Sequence, residues 1–205
     1  SQLQQDDKCL KYFNFKKEGY FVDVGAHNGI DLSNTHKLEK EYDWSGICVE
    51  PMKDEYDKCV INRPKSICIN SCIYDHNGSV TFNEITRKGD SYNMLSGIDD
   101  ENYEKKEDFI QIEKPCITLT KLLEDNNAPK IIDFLSIDTE GCELKILKSL
   151  DHKKFKFKYL TCEHNYQDKM RVNLKDYLQS VGYQFHEENG WDDIYIHTDC
   201  LIATC

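Results

Sequence analysis

The sequence predicts an α/β protein, with a mostly parallel central sheet, helices on both faces and an inserted antiparallel ribbon. Three patterns predict it. Short apolar runs alternate with stretches of helical periodicity, the arrangement of strands joined by crossover helices. The runs are apolar on both faces, which marks strands covered from both sides. Residues 79–84 (SVTFNE) and 109–113 (FIQIE) instead alternate apolar and polar side chains, so they read as half-exposed strands that pair as the ribbon.

In chain order, the buried strands are Tyr20–Val24 (YFVDV), 46–50 (GICVE), 66–69 (SICI), Ile131–Ile137 (IIDFLSI) and 159–162 (YLTC). Residues 140–150 (EGCELKILKSL) place Leu144, Ile146, Leu147 and Leu150 on one side at helical spacing, and 170–181 does the same through Leu174, Tyr177, Leu178 and Val181. Between the ribbon strands, 86–106 is rich in Gly, Ser, Asn and charge and reads as a long mobile loop, which in a compact domain is either functional or disordered. The segment 183–202 offers two more strands around a turn at Asn189 and Gly190. There is no internal repeat and no linker, so 1–205 is expected to be a single domain. The opening residue, Ser1 rather than Met, fits a module of a longer polypeptide.

Lysine and arginine number 26 against 37 aspartates and glutamates, a net charge of −11. Sequence-independent nucleic-acid binding needs a basic face, so nucleic acid is not the expected partner. The acidic stretch 99–108 argues in the same direction. No apolar run is long enough to span a membrane. The N-terminus carries no apolar signal segment. The ten cysteines form no C-x-x-C pair, which disfavours a structural zinc site. Cys48, Cys68, Cys116, Cys142 and Cys162 lie in or beside apolar stretches. Buried, reduced thiols in a cytoplasmic compartment are therefore expected.

In open parallel sheets the ligand crevice lies beyond the carboxyl ends of the strands. The first strand runs there into GAHNG, where Gly25 and Gly29 allow backbone angles and close approaches that a Cβ forbids. The spacing V-x-V-G-x-x-x-G lacks the middle glycine of a dinucleotide fingerprint, so a nucleoside without phosphates fits better. The second strand ends in Glu50, at the distance where nucleoside-binding sheets place an acid for ribose hydroxyls. Pro51 then opens a helix.

FVDVGAHNG, CVEP and DFLSIDTEGCELKIL together resemble the motifs of the FkbM family of S-adenosylmethionine-dependent methyltransferases, over roughly residues 20–163. The resemblance implies a Rossmann-like class I methyltransferase fold with S-adenosyl-L-methionine as cofactor. Asp23, Gly25, Ala26 and Gly29 would surround its methionine part, Glu50 its ribose, and Ser71 and Cys72 its adenine, with Pro51 and Asp138 completing the cofactor set. It also implies a hydroxyl acceptor, most simply a sugar of a glycan.

Methyl transfer from a sulfonium is an in-line displacement whose catalysis reduces to alignment and acceptor deprotonation. The fourth and fifth strand ends bring Asp138, Glu163 and His164 to the expected crevice. His164 is the first candidate base, with Asp138 and Glu163 competing. Alternatively, Asp138 and Glu163 ligate Mg²⁺ or Mn²⁺, which would lower the acceptor's pKa. Plainer roles stay open: Asp138 as a helix cap, Glu140 favouring a helix N-terminus, and Glu143 facing solvent, pairing with Lys148 or closing the acceptor site. His27 is either a cofactor contact or a solvated turn residue, and Tyr166 and Trp191 are either anchors or stacking platforms. A nitrogen or carboxylate acceptor and a silent binding module are the alternatives in function. The oligomeric state is not legible.

Overall fold

The computed structural model describes residues 1–86, 93–103 and 108–200. Its strands and helices follow in the order α1 (Gln5–Tyr12), β1 (Tyr20–Val24), α2 (His36–Tyr42), β2 (Ser45–Val49), α3 (Lys53–Asn62), β3 (Ile67–Ile69), β4 (Cys72–Ile73), β5 (Gly78–Ile85), β6 (Gly97–Ile98), β7 (Phe109–Ile117), α4 (Leu119–Asp125), β8 (Ile131–Ile137), α5 (Glu143–Lys148), β9 (Lys156–Glu163), α6 (Asp168–Ser180), β10 (Tyr183–Asn189) and β11 (Asp192–His197). Seven strands form the main sheet in the order β10-β11-β9-β8-β1-β2-β3. The pairs from β9 through to β3 are parallel, and β11 runs antiparallel to both of its neighbours.

The expected ribbon is present. β5 pairs antiparallel with β7 from Gly78↔Cys116 to Ile85↔Phe109, within a second sheet ordered β4-β7-β5-β6.

Each central strand sends alternate residues into one of two cores. Val22, Val24, Ile47, Val49, Leu135 and Leu160 pack with α4, α5 and α6 on one face. Phe21, Cys48, Phe134, Tyr159 and Ile194 pack on the other with Cys9 and Leu10 of α1, Leu38 of α2 and Cys59 of α3. This double burial is why the strands read as continuously apolar.

The sequence reading departs from the structure at three places. Helices α1 and α4 carry no periodic stripe, and α2 and α3 are marked only at their starts, after the glycine turn and after Pro51, because all four are short or carry too few apolar residues. Pro51 itself precedes the N-cap Met52 and is not the first helical residue. The helix expected over 140–150 is confined to Glu143–Lys148, because Glu140 (φ 60) and Gly141 (φ 118) adopt left-handed angles. Within 86–106, Asn93–Leu95 form a 3₁₀ turn and Gly97–Ile98 add strand β6 to the ribbon. Residues 87–92 and 104–106 of that segment, like 201–202 of the C-terminal one, lie outside the described residues.

The loop between β1 and α2 is held from beneath by Arg63, which follows α3 and is almost wholly buried. Its guanidinium donates to Glu39 Oε2 (2.9 Å), Thr35 Oγ1 (2.9 Å), the Gly29 carbonyl (3.3 Å) and Ser33 Oγ (3.3 Å). Thr35 Oγ1 in turn donates to Asp23 Oδ2 at 2.6 Å. Removing one member of a buried charged network leaves its partners desolvated and unpaired. Arg63→Met is expected to lower the unfolding free energy by about 3–5 kcal/mol in urea titration.

Candidate active site

A cavity of about 360 Å³ opens beyond the carboxyl ends of β1, β2, β8 and β9. It sits where strand order reverses, between β1 and β8. Its first wall is the turn after β1. Gly25 (φ +92) lies against β8 so closely that a Cβ there would come 2.0 Å from the Asp138 carbonyl oxygen. The next residues, Ala26 and His27, also line the cavity. The Gly25 and Ala26 amides both donate to the Val49 carbonyl, which ties this turn to the end of β2.

Glu50 follows β2 and is buried at the cavity wall. Its Oε2 accepts from the His27 amide and its Oε1 from the Met52 amide, each at 2.8 Å. Burial pushes its carboxyl up to about 7, against the partial compensation of those two amides. Asp23 is also raised, again chiefly by burial, with Arg63, Thr35 and Ser33 opposing. Pro51, Ser71 and Cys72 line the same side of the cavity, and Ile73, Phe82, Leu95 and Ile98 make it apolar there. Ser71 Oγ is used locally, donating to the carbonyls of Cys72 and Pro115 at 3.1 Å.

The opposite end is acidic. Carboxylate oxygens of Asp138, Glu140 and Glu163 all lie within 4.8 Å of one another. Burial raises Asp138 to about 8, reinforced by the charges of Asp192, Glu140 and Glu143, with the adjoining Glu163 carboxyl opposing. Glu163 is raised well above the ordinary carboxylate range, first by burial and then by Asp138. Two like charges this close cannot both ionise cheaply, so the pair holds a shared proton. Glu163 Oε2 is buried and has no hydrogen-bond partner among the described residues.

The loop carrying these acids is braced by Glu143, which is completely buried and faces neither solvent nor Lys148. Its Oε1 accepts from the Thr139 amide (3.0 Å), Thr139 Oγ1 (2.9 Å) and the Gly141 amide (3.2 Å). Asp138 is not a helix cap, since that position belongs to Cys142.

Two expected site residues are not brought into the cavity. His164 is absent from its lining, because alternation past Glu163 turns the ring to the other side of the strand. There its Nδ1 accepts from the Tyr166 amide (3.1 Å) and its Nε2 faces Asp193 Oδ1 at 3.7 Å. Burial lowers its pKa, with Asp193 opposing. Gly29 also lies outside the lining. The space its Cβ would take is occupied by Arg63 Cγ at 2.7 Å and Cys59 Sγ at 3.1 Å, so its role is packing against α3.

The lining includes residues that the sequence did not single out: Gln2, Ser33 and Asn34, together with Met94, Leu95 and Ser96 of the 86–106 loop. They lie on non-periodic segments far apart in the chain, where no spacing in the sequence marks a side chain as facing the cavity. His27 (φ 48), Leu32 (φ 58), Glu140 (φ 60) and Asn165 (φ 47) are non-glycine residues in left-handed conformations, all at the cavity. Such strain gathers at functional sites.

The family model described as the methyltransferase FkbM domain matches residues 23–185. The chain belongs to the FkbM methyltransferase family. A solved FkbM methyltransferase from Methylobacillus flagellatus KT superposes with a TM-score of 0.55 at 16% identity, covering 89% of this chain and 44% of that chain. This FkbM domain therefore spans less than half the length of that relative. A putative RNA methyltransferase from Pyrococcus horikoshii gives 0.52 at 8% identity, covering 96% and 83% of the two chains. The METTL16 methyltransferase domain gives 0.55 at 11%, covering 96% and 67%. At these identities the likeness is one of fold, the Rossmann-like class I methyltransferase fold. No curated protein matches the sequence. Membership in the FkbM family implies S-adenosylmethionine as cofactor.

Asp138 holds its proton up to about pH 8 in the folded chain, whereas an unfolded aspartate loses it near 3.8. The native state then binds more protons throughout that window, so its stability falls as pH rises. Glu50 acts in the same direction between 4.5 and about 7. Asp138→Asn is expected to flatten the decline between pH 5 and 8, and to exceed the parent at pH 8 by on the order of 2 kcal/mol in urea unfolding.

Proposed function

We propose that this chain is an S-adenosylmethionine-dependent O-methyltransferase acting on a hydroxyl of a small acceptor, most simply a sugar of a glycan. One observation carries the reading: a single cavity joins the Gly25 turn and Glu50 to the Asp138–Glu163 pair.

The residues present fit the cofactor. Each Glu50 oxygen accepts one backbone amide and retains a lone pair, which suits the two ribose hydroxyls. Ala26, the Gly25 turn and Asp23 would receive the methionine part, and Pro51, Ser71, Cys72 and the apolar wall the adenine. The acidic end offers negative charge to a sulfonium. The cofactor supplies an activated methyl group. The protein aligns the acceptor with it and removes the hydroxyl proton.

His164 faces away from the cavity, so we assign the proton to the carboxyl pair. Glu163 Oε2, buried and unpartnered, is placed to accept it. The shared proton raises the basicity of the pair toward neutral pH, where a general base works best. Asp138 and Glu163 are also the oxygen donors that would hold Mg²⁺ or Mn²⁺, and a divalent ion there would lower the pKa of the acceptor hydroxyl.

Among the described residues no lysine or arginine lines the cavity, whereas Asp23, Asp31, Glu50, Asp138, Glu140 and Glu163 do. That charge favours a neutral acceptor over a nucleic acid. No helix among the described residues is long and apolar enough to cross a membrane. The nine cysteines among the described residues are free thiols, which fits a reducing, cytoplasmic setting. We read the chain as one methyltransferase domain.

Calorimetry with S-adenosylmethionine and S-adenosylhomocysteine, followed by turnover on a sugar panel with Mg²⁺, Mn²⁺ or chelator, tests this reading. Glu163→Gln is expected to reduce kcat by about 10²–10⁴-fold while binding S-adenosylhomocysteine within about threefold of the parent, whereas His164→Asn retains near-parental turnover. Failure of both nucleosides to bind would overturn the cofactor assignment. A Glu163→Gln enzyme with undiminished turnover would overturn the base.

A further inference from the structure

Away from the cavity, on the far side of the β1–α2 loop, three cysteines converge. Cys48 and Cys68 are register partners across the parallel β2–β3 pair, so their side chains leave the sheet on the same face. Cys59 comes down onto them from α3, with its Sγ 3.6 Å from that of Cys68. Cys48 and Cys59 are fully buried, but Cys68 is half-buried and lies on β3, the edge strand of the sheet. One sulfur is thus reachable from solvent, and a second stands directly behind it.

We propose that Cys59 and Cys68 are a site of reversible oxidation, a thiol pair whose closure to a disulfide loosens the 28–35 loop and, on the cofactor reading above, weakens nucleoside binding. The thiolate form of Cys68 is the natural point of attack. The neighbouring Cys48 and Cys59 thiols, with the Arg63 guanidinium, favour it and hold its pKa below the ordinary thiol value against burial, while the Cys59 thiol is pushed up to about 12. With glutathione disulfide as oxidant, the Cys68 thiolate attacks one glutathione sulfur and expels the other as a thiolate. Cys59, deprotonated, then attacks Cys68 Sγ and expels the second glutathione. Two protein thiols lose two electrons and two protons, and one glutathione disulfide becomes two glutathione thiols.

Closure is coupled to the cavity because the same end of α3 carries the loop. A disulfide brings the sulfurs from 3.6 Å to about 2 Å, which draws Cys59 Sγ from its place beneath Gly29. Cys59 Sγ packs beneath Gly29, at 3.1 Å from the Cβ position there. Asn62 Nδ2 donates to the Asn28 carbonyl at 2.9 Å, and Arg63, four residues past Cys59, holds Gly29, Ser33 and Thr35. Asp31, Leu32, Ser33 and Asn34 of this loop line the cavity. Movement at Cys59 therefore reaches the wall through packing and hydrogen bonds.

The test equilibrates the full chain across ratios of glutathione to glutathione disulfide, traps thiols with iodoacetamide and maps cross-linked peptides by mass spectrometry. A Cys59–Cys68 cross-link is expected ahead of any other pair. In the oxidised chain, hydrogen exchange of the 28–35 peptide should accelerate and affinity for S-adenosylhomocysteine should fall by about tenfold, both reversing with dithiothreitol. Cys68→Ser should abolish the response, with Cys59→Ser as a second variant if that one folds poorly. No cross-link across the series, or a cross-link with unchanged 28–35 exchange, overturns the proposal. If the reduced chain binds no S-adenosylhomocysteine, the cofactor reading falls, and cross-linking and exchange still decide the thiol pair.

Discussion

The missing side chain at Gly25 is the constraint on which the site depends. The register of β1 on β8 pairs Val24 with Ile137, which puts Gly25 and Asp138 next in line as both strands leave the sheet. Their backbones meet so closely that a Cβ would lie 2.0 Å from the Asp138 carbonyl oxygen. Because the two turns touch, the nucleoside-side wall and the carboxyl pair share one cavity. The Asp138 amide donates to the Val24 carbonyl and continues the ladder to its last residue, which keeps the contact rigid.

Around that contact the chain accepts buried charge. Glu50, Asp138 and Glu163 are all raised by desolvation, and each costs folding free energy when ionised. Arg63 offsets part of the burden on the other side of the turn, where it serves Glu39, Thr35 and, through Thr35, Asp23. Glu143 plays a matching role under the acids, taking three donors from Thr139 and Gly141 on one oxygen. The site is thus held by two buried polar braces, one under each of its turns, although Glu143 Oε2 has no hydrogen-bond partner among the described residues. The Arg63 brace also joins the loop to α3 and hence to the thiols, so chemistry at the sheet edge has a mechanical route to the cavity.

The fold was legible because its signal is local. A strand buried on both faces is apolar at every position, and Tyr20–Val24 and Ile131–Ile137 have the bounds their sequences imply. The alternation in 79–84 and 109–113 marked the ribbon for the same reason. Helices α1 to α3 showed no periodic stripe, since their positions are mostly polar and their burial comes from a few residues such as Leu10, Leu38 and Cys59. The 3₁₀ turn at Asn93–Leu95 was silent too, because it is defined by what it packs on.

For the site, residue types and strand ends were sufficient to nominate Gly25, Glu50, Asp138 and Glu163, because a glycine turn and an acid at a strand terminus carry their chemistry in the sequence. Side-chain direction was not available there. Whether Glu163 or its neighbour His164 faces the cavity depends on the phase of the strand against its partners, and a one-residue difference inverts the answer. Likewise, the grouping of Glu140 with Asp138 and Glu163, the Arg63 brace and the contact of Cys59 with Cys68 join residues from separate elements. Sequence alone determined the buried strands, the ribbon and the residues at the strand ends. Only the tertiary structure decided which of those residues face one another, because that is set by register, by left-handed turns such as the one at Glu140, and by the packing of helices that have no sequence signature.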